Sequence, residues 1–293
     1  WWLDCVCPTD LETRYLSKSF GIHPLTSEDI RMQESREKVE LFKNYYFISY
    51  HTFENDNESQ DYLEPINFYM VVFQNGIITF HFSKVLHSIN VRRRIRQLKD
   101  YMRIKSDWIC YALIDDITDS FVPIINSIEY EADAIEDSVF ILREMDFSKM
   151  LQTIGEARRK VMILMRLLSG KADVIKIDKI KPGADIALYL GDIQDHIITM
   201  FSNLISYEKI FSRSHSNYLA QLQVESFNSN NKVTEMLSKV TLIGTLLVPL
   251  NLVTGLFGMN VNVPGSDITN NYYWFIGIVL FLFFIITVGL IVS

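Results

Sequence analysis

The chain has 293 residues, with 28 Lys and Arg against 35 Asp and Glu and a net charge of −7. That balance excludes a general nucleic-acid binder, whose footprint is basic. The charge is also unevenly spread: from Val240 to Ser293 the only charged residue is Asp267. This division excludes an ordinary soluble enzyme, and equally a transporter that holds substrate among many membrane helices.

Cys5, Cys7 and Cys110 are an odd number and make no disulfide framework, so the charged part reads as resident in a reducing, cytosol-like compartment. Cys5 and Cys7 lack the two-residue gap of a zinc knuckle and read as strand residues on one face. The chain opens Trp1-Trp2 with neither an initiator Met nor a basic-then-apolar leader; it reads as a fragment without a signal peptide.

Residues 1–105 mix strand and helix signals, as an α/β domain does. Thr9 caps a helix that runs to Phe20 and ends at Gly21. Ser27-Glu28-Asp29 opens a short second helix. Val39–Lys43 and Tyr45–Phe53 read as strands, with Asn55-Asp56-Asn57 as a turn. Ile66–Phe73 and Gly76–His81 form a hairpin about Asn75-Gly76. The cations Arg92, Arg93, Arg94, Arg96, Lys99, Arg103 and Lys105 read as a solvated face, with lipid headgroups or the chain's own acidic run, Asp115–Asp146, as other partners.

Residues 106–184 are helical. Asp107 to Asp146 carries 11 Asp and Glu against one base, Arg143, whereas Phe147 to about Ile177 is basic, with Arg158, Arg159, Lys160 and Arg166. Opposite charge and apolar contact predict an antiparallel pair. Most of the acidic run reads as a solvated face that can also attract cations. Lys181-Pro182-Gly183 breaks the chain.

From about Asp185 nothing stops a helix until after Phe257, about 100 Å at ~1.5 Å per residue. The stalk covers residues 185–239. Ile193, Ile197, Met200, Leu204, Tyr207 and Phe211 alternate steps of four and three, a heptad seam that predicts packing on other copies of the chain.

Two uncharged runs follow, Val240–Phe257 and Tyr272–Val292. They span ~27 and ~31 Å as helices, which suits a bilayer core of ~30 Å. Tyr272, Tyr273 and Trp274 stand where an interfacial aromatic belt belongs. Lys232 and Lys239 precede the first run, and the loop Gly258–Asn271 has no Lys or Arg. The positive-inside rule places the large domain and the C-terminus in the cytosol and the loop outside.

The alternation continues through Asn230, Thr234, Leu237, Thr241, Gly244, Val248, Asn251, Gly255 and Gly258, among which only Leu237 and Val248 are bulky and apolar. Leu242, Ile243, Leu246, Leu250, Leu252 and Leu256 occupy the other faces. Small residues at such a seam serve close helix packing or line a wet path. Asn251 favours the wet path, because an amide in lipid needs a partner or water. Leu237 and Val248 would then constrict by dewetting, and Pro249 could supply a bend. The six histidines have no i, i+4 pair, which argues against a catalytic zinc site.

The first span ends Gly258-Met259-Asn260, followed by Val261-Asn262-Val263-Pro264-Gly265. With two terminal spans, a long preceding helix and an N-terminal α/β domain, the chain resembles the CorA family of magnesium channels. Tyr189, Asp192, Asp195 and His196 at the start of the stalk carry the same resemblance. The loop Val261–Asp267 departs from the acidic loop of bacterial members and looks more like fungal members.

The resemblance implies an α+β membrane protein that is not an enzyme: a homopentameric funnel in lipid, moving hydrated Mg²⁺ down its electrochemical gradient. Gly258, Met259 and Asn260 would be its selectivity filter, with residues 240–257 lining the pore and residues 272–293 as the second span. Mg²⁺ gives up water reluctantly, so neutral oxygens suit it. The resemblance also implies regulation by divalent cations bound between subunits, with Asp192 as one ligand and Glu54 of a neighbour as the other. As isolated features, Asp192 equally fits a solvated helix acid and Glu54 a loop-tip acid. Plasma and vacuolar membranes both suit a fungal-type member. A membrane-anchored coiled-coil scaffold is the alternative from another class, and a zinc transporter of the same architecture is a third.

Overall fold

Long runs of β-branched and aromatic residues build the centre of a five-stranded sheet. In a computed structural model describing residues 1–56, 58–59, 61–101, 103–141, 147–175, 184–259 and 271–292, the chain divides into two units, Trp1–Tyr218 and Leu219–Ser293. In the first unit the strands are β1 (Trp2–Val6), β2 (Lys38–Leu41), β3 (Tyr45–Phe53), β4 (Pro65–Phe73) and β5 (Gly76–His81), ordered β1-β5-β4-β3-β2. All neighbours are antiparallel except β1 and β5, which run parallel with Asp4 opposite Thr79.

Alternation along these strands feeds two cores, since successive side chains point to opposite faces. Tyr45, Phe47, Tyr69, Val71, Ile78 and Phe80 pack with Ile22 and Ile30, from beside and within the helices α1 (Asp10–Phe20) and α2 (Pro24–Arg31). Ile48, Met70, Val72 and Ile77 are equally buried, and α4 (Ser106–Asp119) packs against β4 and β5. Helix α3 (His87–Leu98) packs on α4.

Local chemistry sets the ends of α1. Thr9 and Glu12 form a reciprocal capping box, Thr9 N–H donating to Glu12 Oε2 at 2.8 Å and Glu12 N–H to Thr9 Oγ1 at 3.3 Å. Gly21 closes the helix at φ 65°, in the left-handed region that favours glycine. Helix α2 begins earlier than Ser27: Pro24 enters its first turn, and His23 Nδ1 accepts from Leu25 N–H at 3.2 Å. The hairpin turn is Gln74-Asn75 rather than Asn75-Gly76. Gly76 already pairs with Phe73, and a Cβ on it would lie 2.1 Å from the Trp1 ring. Cys7 lies beyond β1 at φ 47°, so it does not share the strand with Cys5, whose thiol burial and the nearby carboxylates push to about 11.

The helical layer comprises α4, α5 (Val122–Ile141), α6 (Phe147–Ser169), α7 (Lys171–Val174) and the start of α8 (Ala184–Phe257), a single helix of 74 residues. The acidic and basic helices attract as their charges predict, with Lys160 Nζ 2.6 Å from Glu131 on α5. The break at Lys181-Pro182-Gly183 lies outside the described residues.

The heptad seam of the stalk has a different partner from the expected one. Ile193, Ile197, Leu204 and Phe211 are buried within a single chain. Arg158–Glu208 and Arg213–Glu136 pair α8 with α6 and α5, and Tyr189 stacks on Tyr111 of α4 at 5.2 Å. Over residues 190–218 the seam is therefore filled by the chain's own helices, not by other copies.

The second unit holds the remainder of α8 and α9 (Asn271–Val292). Leu242, Leu246, Leu250 and Val253 of α8 are half-buried, as are Ile276, Leu282 and Ile286 of α9.

Candidate ion-conduction and regulatory sites

In the second unit α8 has one half-buried stripe and is exposed elsewhere. At about 100° per residue, Leu242, Leu246, Leu250 and Val253 form one stripe. Thr241, Gly244, Val248, Asn251 and Gly255 form another, roughly opposite. All five of these seam residues are exposed, as are Thr234 and Leu237 before them. The small and polar side of the helix, interrupted by Leu237 and Val248, is thus open, as are flanking faces that carry Ile243, Leu247, Leu252 and Leu256.

Threonine hydroxyls along α8, on the seam and off it, bond back to the helix. Thr234 Oγ1 donates to Asn230 O at 2.9 Å, and Thr254 Oγ1 donates to Leu250 O at 3.0 Å. Helix α8 runs through Pro249 without interruption. It ends where Gly258 N–H donates to Thr254 O at 3.0 Å, and Met259 follows with its side chain exposed. Asn260 and the loop Val261–Asp267 lie outside the described residues.

The expected regulatory acids both belong to the first unit. Asp192 is on α8, 73% exposed, with His196 Nε2 3.9 Å from its Oδ1. Glu54 lines a cavity of about 580 Å³ with Asp56, Lys84, His87 and Asp116, and its Oε1 accepts from Asp56 N–H at 3.2 Å. Among the described residues, no three His, Cys, Asp or Glu side chains are placed to hold a metal ion.

Two further acids escaped the sequence reading because a helical acidic run gives no sign of which member is covered. His87 Nδ1 lies 2.7 Å from Asp116 Oδ2 and its Nε2 2.7 Å from Thr52 Oγ1. Asn90 donates to the same Asp116 oxygen at 3.3 Å, so this carboxylate is committed to joining α3, α4 and β3. Partial burial and the charges of Asp115 and Asp116 raise the pKa of Asp119, while Arg94 and His196 pull it down. Asp119 therefore lies within electrostatic reach of the stalk residue that neighbours Asp192.

Residues 1–292 match the profile of the family described as CorA-like Mg²⁺ transporter protein. The chain belongs to this family. The CorA-like chain is 61% identical over 99% of its length to Magnesium transporter ALR1 of Saccharomyces cerevisiae, covering 39% of that protein. It is also 61% identical over 95% of its length to Magnesium transporter ALR2 of the same yeast, covering 38% of it. The CorA-like chain thus spans about two fifths of the curated relatives it matches. The complete structure of CorA from Methanocaldococcus jannaschii superposes with a TM-score of 0.66 at 18% identity, covering 99% of this chain and 89% of that one. CorA-family transporters are membrane proteins. Among its described residues, this member has one helix long and apolar enough to cross a membrane and a shorter apolar stretch, Tyr272–Phe284.

Proposed function

We propose that this chain forms the conducting and regulatory core of a magnesium channel that admits hydrated Mg²⁺ to the cytosol. The observation that carries the proposal is the exposed seam of α8 from Thr234 to Gly255, small and polar except at Leu237 and Val248, while the remaining leucines lie on the other faces. A helix built this way assembles with copies of itself around water more readily than it faces lipid. Five copies would close the pore, with Thr241, Gly244 and Asn251 lining it and Leu237 and Val248 as dewetting constrictions.

The filter is Gly258-Met259-Asn260, at whose mouth a ring of Asn260 amides would hold an ion with its water shell. Neutral oxygens suit an ion that dehydrates reluctantly. Inside-negative potential drives uptake, with two charges gaining about 4.6 kcal/mol per 100 mV. Lys232 and Lys239, against a loop free of Lys and Arg, support a cytosolic N-terminal domain, with both termini of the membrane hairpin on that side. The plasma membrane and the vacuolar membrane are the locations proposed for it, and its role is transport rather than catalysis.

The exposure of Asp192 on α8 leaves it accessible for a regulatory role. Cytosolic Mg²⁺ bound between Asp192 of one subunit and an acid of its neighbour, Glu54 in this proposal, would hold the closed arrangement. The scaffold reading loses its main support, since the stalk seam it would use between copies is filled within each chain.

Purified protein in liposomes, loaded with a Mg²⁺-sensitive dye and held inside-negative, tests the proposal. Mg²⁺ entry that disappears in Asn260→Ala, with assembly intact, supports channel and filter together. Absence of entry in both proteins, with internal Mg²⁺ removed, would shift the function to a scaffold or another ion such as zinc.

A further inference from the structure

Helix α3 and the segment after it concentrate positive charge that the chain does not neutralise. Between Arg92 and Lys105 there are seven cations and one acid, Asp100. Asp4 takes Arg92 at 3.0 Å and Asp115 takes Arg94 at 2.6 Å. Arg93, Arg96, Lys99, Arg103 and Lys105 have no carboxylate partner among the described residues. All five are exposed. Ile89, Arg92, Arg96 and Lys99 follow steps of three, four and three, which puts them on one helix face.

That face borders a concave apolar groove of about 630 Å³, walled by Trp2, Ile89, Ile95, Ile104 and Ile109 and rimmed by Arg92 and Arg96. Arg92 is fixed in place at the rim, its guanidinium carbon 5.0 Å from the Trp2 ring centroid while it pairs with Asp4. A groove of this size takes one or two aliphatic or aromatic side chains, and the cations beside it take carboxylates.

We propose that the groove and the α3 face form a docking site for an acidic peptide segment of a partner protein, anchored by an apolar side chain. Charge complementarity selects the occupant: Arg96 rims the apolar cleft without a carboxylate partner among the described residues, and Arg93, Lys99, Arg103 and Lys105 belong to the same exposed basic segment. A membrane surface fits less well, because an interfacial helix exposes an apolar stripe along its length. In α3 Val91 is buried, Ile95 is half-buried, and of the apolar residues on the cationic face only Ile89 is strongly exposed. The site is independent of the conduction pathway.

Fluorescence anisotropy on the full chain in detergent tests this with labelled twelve-residue probes. One probe is Glu-rich with a central Leu-Phe pair, the second has that pair replaced by Ser, and the third carries Lys for Glu. Saturable binding of the first is expected. It should weaken about tenfold in Arg93→Glu/Arg96→Glu, about tenfold for the second probe, and further in high salt, as charge-steered association does. Ile89→Ser, at an exposed position, should weaken the first probe and leave the second unchanged. Circular dichroism of each variant checks that the fold persists.

No saturable binding of the first probe would overturn the proposal, as would equal binding by wild type and the charge-reversed double variant. Equal affinity for the first two probes would reduce the face to nonspecific electrostatics. Stronger capture by phosphatidylserine vesicles, or loss of the site on self-association, would assign the face to lipid or to a second copy instead.

Discussion

Lys171 and Glu37 lie 134 residues apart in sequence and form a buried ion pair, Nζ to Oε1 at 2.5 Å. The ammonium is fully buried, also donates to the His51 carbonyl, and stands 3.9 Å from the centroid of the Tyr50 ring. Helix α7 is thereby pinned to the sheet through β3 and the segment before β2. Burial pushes the Lys171 pKa down, and the Glu37 charge opposes that shift. Lys171→Met should destabilise the domain by about 3–5 kcal/mol, because it leaves a buried carboxylate without its counter-charge. Adding Glu37→Gln to it should recover part of the loss. Thermal unfolding of the single and double variants in detergent measures both, and additive losses would refute the coupling.

His81 and Asp4 tie β1 to β5 in a pH-dependent way. Nδ1 of His81 faces the Ser83 carbonyl at 2.7 Å, so that nitrogen carries a proton. Nε2 faces Asp4 Oδ1 at 3.4 Å, long for a hydrogen bond but suited to charge pairing. Burial alone would lower the His81 pKa, yet the adjacent Asp4 carboxylate and the hydrogen bond to the Ser83 carbonyl carry it above its ordinary value. Burial likewise opposes ionisation of Asp4, but His81, Thr79 and Ser88 bring its pKa below the ordinary carboxylate value. The His81 contribution is complete below about pH 6.5 and is lost as pH rises through the raised pKa. The Asp4 contribution is complete above about pH 3.9 and is lost as pH falls through the depressed one. Wild type should therefore exceed His81→Gln in unfolding temperature most at about pH 5–6, with the gap narrowing toward alkaline pH. A gap independent of pH would refute the assignment.

The legibility of this chain depended on how local each determinant is. The ends of α1 were readable because Thr9, Glu12 and Gly21 act within one turn of each other. The start of α2 was not, since an imidazole cap at His23 competes with a more familiar Ser, and Pro24 could have signalled it. The 3.5-residue period in α8 correctly marked a buried stripe from Ile193 to Phe211. A period tells that a face is covered, however, and not whose side chains cover it; α5 and α6 fill it. Lys171 was invisible because nothing in a basic stretch distinguishes the one lysine that meets Glu37. In the second unit the polar seam was legible residue by residue, since composition alone separates Thr241, Gly244 and Asn251 from the leucines around them.

The open seam of α8 makes a directional prediction for conduction. Asn251→Leu replaces an amide by a side chain that dewets the path, and should cut Mg²⁺ flux by at least about tenfold. Val248→Ala and Leu237→Ala widen the apolar narrowings and should raise flux in the presence of internal Mg²⁺. The covered stripe serves as the control: Leu246→Ala should lower thermal stability more than flux per assembled channel. Dye-loaded liposomes matched for reconstituted protein measure each, and unchanged flux in Asn251→Leu would remove that residue from the path.

Asp192 separates regulation from folding. Its side chain is 73% exposed and pairs at 3.9 Å with the exposed His196, so Asp192→Ala should alter the stability of the isolated subunit by no more than about 0.5 kcal/mol. The same change should weaken inhibition by internal Mg²⁺ severalfold if the carboxylate is a ligand shared between subunits. Glu54→Ala should act in the same direction, and the double variant should add little to either single change, because removing one ligand already opens the site. Flux measured against internal Mg²⁺ concentration for the three variants decides the matter. Additive shifts would mean two separate cation sites, and inhibition unaltered in all three would place the sensor elsewhere.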